Sequence, residues 1–124
     1  MIIDSSAWIE YLTDAACASA VEQYLAKEDC TTLSVTLAEV LAKTLKIGGN
    51  PNLIHRAIKN LSLIEPVSEQ LSVESASIYF ERRKTHHKFT LSDAFILAFA
   101  RMNHVKILTK DTDFAGLKEA VIVH

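Results

Sequence analysis

With 124 residues, 49% of them hydrophobic, and a formal net charge of −2, the chain has material for one core and is expected to form a single domain over residues 1–124. No apolar run approaches the roughly 20 residues that a bilayer helix needs, so a membrane role is excluded, and neither a signal peptide nor a lipidation motif is expected. Cys17 and Cys30 stand alone, without a CxxC or a histidine pair; this argues against a disulfide framework and fits a reducing cytoplasm, with both thiols as small core residues.

Met1-Ile2-Ile3 is a short apolar run ending at Asp4 and reads as a buried first strand. Ser5–Leu12 and Ala15–Lys27 are predicted helices, the second alanine-rich with Val21, Tyr24 and Leu25 along one side. A short strand over Thr31–Ser34 leads into a helix over Val35–Ile47, which Gly48-Gly49 stops. Pro51 opens the next helix, running to Leu61, and Leu63–Pro66 follows as a short strand-like run. Ser68–Lys84 is a long amphipathic helix. Leu91–Asn103 is apolar on nearly every side and predicts a buried helix. Val105–Leu108 and Val121–Val123 are the last two predicted strands. Short apolar strands alternating with helices predict an α/β domain with a mainly parallel central sheet of four or five strands. Ligand sites in such sheets lie beyond the carboxyl ends of the strands, where the strand order reverses.

That rule makes a demand on the acids. Asp4 follows the first strand, and Asp111 and Asp113 follow the Val105–Leu108 strand. Asp93 begins the Leu91–Asn103 helix, and Glu39 lies one turn into Val35–Ile47. Gathered at a switch point, these carboxylates form a hard-oxygen site suited to Mg²⁺ or Mn²⁺, ions that clamp a phosphodiester and acidify the attacking water. Each acid also has an ordinary structural role open to it. Asp4 can cap the Ser5–Leu12 helix, Glu39 can pair with Lys43, and Thr90-Leu91-Ser92-Asp93 fits a capping box. Asp111 or Asp113 can cap the turn over Asp113–Lys118. The conjunction says more than any member. Glu39 sits between apolar neighbours in Leu37-Ala38-Glu39-Val40-Leu41, which places it on a largely buried helix, where an unpaired carboxylate is expensive. No Cys/His metal pattern, GxGxxG or P-loop competes.

The net charge does not exclude a nucleic-acid partner, because acids committed to metal ions leave the rest of the chain net positive. Arg82, Arg83, Lys84 and Lys88, with His86 and His87 between them, form the densest basic stretch and are the residues open to contact an RNA backbone; an ordinary solvated helix end is the alternative. His86 and His87 are adjacent, so on a helix they diverge and share a metal poorly. Trp8 packs the first helix onto a partner surface or onto the core.

Taken in order, four segments resemble the PIN-domain family, and within it the VapC-type toxin branch. Met1-Ile2-Ile3-Asp4-Ser5-Ser6-Ala7-Trp8-Ile9-Glu10-Tyr11-Leu12 is similar to the family's opening strand, Asp-Ser/Thr and aromatic-bearing helix. Thr36-Leu37-Ala38-Glu39-Val40 resembles its second acidic motif, Leu91-Ser92-Asp93-Ala94-Phe95-Ile96-Leu97-Ala98 its third, and Ile107-Leu108-Thr109-Lys110-Asp111-Thr112-Asp113-Phe114 its fourth. The resemblance covers essentially the whole chain. It implies a three-layer α/β/α PIN-like fold, with Asp4, Glu39, Asp93 and Asp111 as catalytic metal-binding acids. Asp113 stands beside them as a further ligand, Ser6 as a supporting polar residue, and Thr109 as a residue that orients the site. Asp111 is preferred over Asp113 because it lies nearer the strand end.

The implied activity is Mg²⁺- or Mn²⁺-dependent endoribonucleolytic cleavage of single-stranded or loop RNA, by a cytoplasmic homodimer restrained by a small antitoxin protein. A non-catalytic PIN-like module that binds RNA or protein is the competing reading, under which the acids are only caps and surface pairs. Phosphoryl transfer through an aspartate is disfavoured: such phosphatases need a second acid two residues after the first, where Ser6 stands.

Overall fold

The Met1-Ile2-Ile3 run forms β1 (Ile2–Ile3), and both isoleucines are fully buried. Successive strand residues point to opposite faces of a sheet, so Ile2 joins one core cluster and Ile3 a second one. In this computed structural model, which describes residues 1–124, β1 is the central strand of a five-stranded parallel sheet. The other elements are α1 (Ser5–Leu12), α2 (Ala18–Lys27), β2 (Thr31–Leu33), α3 (Ser34–Lys46), α4 (Pro51–Leu61), β3 (Leu63–Glu65), α5 (Glu69–Arg83), α6 (Leu91–Asn103), β4 (Ile107–Thr109) and β5 (Ala120–Ile122), with a 3-10 turn at Thr112–Phe114 before β5.

The strand order is β3-β2-β1-β4-β5. Parallel strands need crossover helices, and right-handed crossovers running outward in opposite directions cover opposite faces. Accordingly Ala7, Trp8, Val21, Leu25, Val40 and Ile58 of α1–α4 pack with Ile3 and Leu108 on one face. Leu71 of α5 and Ala94, Leu97 and Ala98 of α6 pack with Ile2 and Ile107 on the other. The fold is a three-layer α/β/α sandwich with five strands, as expected. The order reverses between β1 and β4, which pair Ile2 with Ile107 and Ile3 with Leu108. The ladder continues past the end of β1, because Asp4 N–H donates to the Leu108 carbonyl at 2.9 Å.

Local chemistry explains most element ends. Gly48 adopts φ +78° after α3, a left-handed stop that needs glycine. Asn50 accepts the amides of Asn52 and Leu53 ahead of Pro51, Ser68 accepts Leu71 N–H, and Thr90 opens α6 with a complete capping box. Several element ends differ from the sequence-based expectation, most of them by one residue. The second helix begins at Ala18 rather than Ala15, because Asp14 turns left-handed (φ 51°) and Glu10 Oε2 accepts Cys17 N–H at 3.0 Å. Two strands shift, to Ile107–Thr109 and Ala120–Ile122. The first shift matters, since it puts Thr109 in the ladder and fully buries it. Trp8 belongs to the core: it is fully buried and donates Nε1–H to Thr32 Oγ1 at 3.0 Å. Both cysteines are buried and free. No helix is long and apolar enough to cross a membrane.

Candidate metal centre

Asp4 leaves the carboxyl end of β1 and occupies the N-cap position of α1, yet its side chain makes no capping bond. Instead Asp4 Oδ2 accepts the hydroxyls of Ser6 and Thr109, each at 2.8 Å. Ser6 and Thr109 lie 3.1 Å apart, and each hydroxyl also accepts a backbone amide, from Lys110 and Asp111 respectively, at 2.9 Å. Three residues from the ends of two adjacent strands thus fix the direction of one buried carboxylate. Burial raises the Asp4 carboxyl above its ordinary range; the two hydroxyls oppose that rise and the nearby Asp111 charge adds to it.

Asp93 sits in the first turn of α6, where Oδ2 accepts Thr90 N–H at 2.9 Å. Its carboxyl rises to about 6, first through burial and then through the charges of Asp4 and Asp111, although the Thr90 bonds lower it. Asp111 follows β4 and its Oδ1 accepts Asp113 N–H at 2.8 Å. Oxygens of Asp93, Asp111 and Asp113 all lie within 4.8 Å of one another. Glu39 faces this group from α3: burial raises it, Asp4 raises it further, and Ser92 and Lys43 partly offset both.

The structure therefore brings all five acids to one end of the sheet, with Asp93, Asp111 and Asp113 as the tightest group. Asp111 and Asp113 both belong to that group. The surroundings of Glu39 differ from expectation. Only Thr36 and Val40 of α3 are buried, so Glu39 is half-exposed on a helix that packs by one face. Glu39 and Lys43 form no ion pair within 4 Å; the ion pairs are Lys84–Glu81, Arg101–Glu119 and Lys110–Glu10. None of them includes an acid of the site. Ser92, next to Asp93, faces Glu39 and lowers it, a role that the sequence signals only by its place one residue before a candidate acid.

The four basic residues divide. Arg82 is half-buried, donates Nη2–H to the Asp113 carbonyl at 2.9 Å, and stacks 4.9 Å from the Phe89 ring centroid. Arg83 donates to Tyr79 Oη and the Phe89 carbonyl at 3.1 and 3.2 Å. Lys84 pairs with Glu81 at 3.2 Å, and Lys88 is exposed. His86 and His87 lie in the segment between α5 and α6, where the His86 ring meets Thr85 Oγ1 at 2.8 Å.

An all-oxygen donor set suits a hard divalent cation. The residues fit such an ion on a further ground: five converging acids, two of them buried, have no cationic side chain within ion-pair distance, and like charges in low dielectric repel strongly.

A family model described as PIN domain matches residues 1–120. No curated protein matches the chain. A toxin–antitoxin complex from Klebsiella pneumoniae is similar, with 24% identity and a TM-score of 0.77 over 97% of this chain and 94% of that one. Mycobacterium tuberculosis VapC20, a sarcin-ricin loop cleaving toxin, aligns at 17% identity and a TM-score of 0.77 over 99% and 98% of the two chains. VapBC2 from Rickettsia felis, bound to a promoter DNA fragment, aligns at 11% identity and a TM-score of 0.78 over 99% and 98%. At these identities the likeness establishes a common fold.

Proposed function

The chain belongs to the PIN domain family, and from that premise we propose that it is a divalent-metal-dependent endoribonuclease, the toxin of a toxin–antitoxin pair. The observation that carries this reading is the cluster of Asp93, Asp111 and Asp113 oxygens within 4.8 Å, with Asp93 raised further by the charge of Asp4 and no protein cation in ion-pair contact with any of them. Acids that served only as caps would not need to converge. Asp4 is not capping α1.

The protein's contribution is orientation. Asp4, Asp93 and Asp111 each commit one oxygen to a neighbouring hydroxyl or amide, and the remaining oxygens, with Asp113 and Glu39, would hold Mg²⁺ or Mn²⁺. Bound there, such an ion neutralises the phosphodiester charge and acidifies the water that attacks phosphorus. The acids stay fixed because Ser6, Thr90 and Thr109 already hold them, so little reorganisation is left for the reacting state. RNA is the proposed substrate, in single-stranded or loop form, with Lys88 the exposed basic residue nearest Asp93 in sequence. A cytoplasmic homodimer and a small antitoxin complete the proposal; the fold shared with toxin–antitoxin complexes favours the antitoxin.

The test is cleavage of end-labelled single-stranded RNA by purified protein in Mg²⁺, in Mn²⁺ and in EDTA. Cleavage is expected only with metal, and Asp4→Asn or Asp93→Asn should reduce it at least ~100-fold, the scale on which removing one electrostatic catalytic group acts. Full activity in a folded, cleanly purified variant would overturn the assignment and favour the non-catalytic binding module.

A further inference from the structure

Two of the three clustered acids, Asp111 and Asp113, sit on a single 3-10 turn whose own hydrogen bonds are few. The Asp111 side chain caps the turn at Asp113 N–H, and two backbone bonds close it, from Phe114 N–H to the Asp111 carbonyl at 3.3 Å and from Ala115 N–H to the Thr112 carbonyl at 2.9 Å. The turn is anchored elsewhere. Phe114 is fully buried and meets the fully buried Phe89 edge-on, with ring centroids 5.8 Å apart. Arg82, from the end of α5, lies over the Phe89 ring of that pair, its guanidinium 4.9 Å from the centroid. From that position its Nη2 reaches the Asp113 carbonyl at 2.9 Å.

We infer that Arg82 is a positioning residue for the metal centre, holding the Asp111–Phe114 turn through the Asp113 carbonyl. The inference rests on the proposed metal reading of the site. Two details separate this role from a solvated basic residue. Arg82 is half-buried, and its Nε is buried without any hydrogen-bond partner, an unfavourable arrangement that a free surface arginine avoids by turning to water. Its fork also makes no ion pair with Asp93, Asp111 or Asp113, so the carboxylate oxygens stay open while the backbone beneath them is held. A planar guanidinium can lie on a ring face and donate in its plane at once; an ammonium cannot do both.

The electrostatics make the inference testable by sign. A fixed positive charge beside a cation site repels the cation, so removing the charge alone should tighten metal binding. Removing the hold on the turn should weaken it, by the ~10–100-fold typical when a group that orients metal ligands is lost. Mn²⁺ affinity of the whole protein, measured by calorimetry or by the spin-resonance signal of free Mn²⁺, reads the difference without reference to activity. Arg82→Gln is expected to weaken Mn²⁺ binding at least tenfold while the far-ultraviolet circular dichroism stays that of the wild type. Arg82→Lys, which keeps the charge and the aliphatic stem, covers the case in which the glutamine variant fails to fold, and it too should bind more weakly. Affinity within twofold of wild type, or tighter, in the folded variant overturns the inference. Wild-type protein that binds no Mn²⁺ overturns the metal reading itself, and the positioning role falls with it.

Discussion

Replacing Asp93 by Asn should stabilise the metal-free protein while disabling it. The folded-state carboxyl stands at about 6 against an ordinary 3.8, so the folded state resists ionisation of this group. A group raised in this way contributes stability in full below its unfolded pKa, and that contribution is lost as pH rises through the folded value. Near pH 7 the lost stability approaches about 3 kcal/mol, because each pH unit between the folded and unfolded values corresponds to roughly 1.36 kcal/mol. Asparagine is isosteric and neutral, and its oxygen can still accept the Thr90 N–H that Asp93 Oδ2 holds at 2.9 Å. The capping bond from Asp93 N–H to Thr90 Oγ1 at 3.1 Å does not involve the changed group. A gain of about 1–3 kcal/mol is therefore expected at neutral pH, a rise in Tm of roughly 3–10 °C for a domain of this size. Thermal unfolding in EDTA at pH 7.5, 5 and 4 measures it. The gain should fall to about half near pH 5 and to about a fifth near pH 4, following the linkage relation. Excess Mg²⁺ should raise the wild-type Tm and leave the variant unchanged. A variant no more stable than wild type in EDTA at pH 7.5 would refute the claim that the acid is held there against its own ionisation.

Two further outcomes follow from the same geometry. Thr109→Val keeps shape but removes one of the two hydroxyl donors to Asp4 Oδ2 and the acceptor for Asp111 N–H; denaturant unfolding should show a loss of about 1–3 kcal/mol and Mn²⁺ titration a weaker site. Mn²⁺ affinity of the wild type should fall about tenfold from pH 7 to pH 5, because protons compete for Asp93 below its value of about 6; a pH-independent affinity, read by calorimetry across that range, would exclude Asp93 from the ligand set.

Much of this architecture is legible in the chain because its signals are local. Gly48, Pro51, Ser68 and Thr90 mark helix ends with residues whose conformational or capping chemistry acts within a few positions. The Ile2-Ile3 pair announces a strand buried on both faces, as a central parallel strand must be. Strand ends then point to Asp4 and Asp111 as neighbours, since any parallel pairing of those two strands places their carboxyl ends together. The readings that shifted depend on contacts between distant residues. Glu10 reaches Cys17 N–H and sets the start of α2. The burial of Glu39 follows from how α3 packs, which its apolar neighbours overstate. Arg82 lies in a basic run whose pattern is that of a solvated helix end, and only the return of the Thr112–Phe114 turn to α5 gives it another role.

The chemistry that surrounds the acids explains why fold and site coexist. Every group bonded to Asp4, Asp93 or Asp111 through a side-chain oxygen is a neutral hydroxyl or amide. A lysine or arginine in the place of Ser6 or Thr109 would relieve the repulsion among the carboxylates, but it would also occupy the oxygens that a cation needs. Hydroxyls direct those oxygens and leave their charge in place. The resulting repulsion is local, while the two apolar clusters on either side of the sheet, centred on Ile2 and Ile3, supply stability independent of it. This division has a consequence for variants: substitutions that neutralise the acids should raise stability as they remove metal binding, whereas substitutions of the supporting hydroxyls should lower both together. The opposite signs expected for Asp93→Asn and Thr109→Val distinguish a site of held, unneutralised carboxylates from a set of helix caps, for which losing either the acid or its partner would only destabilise the fold.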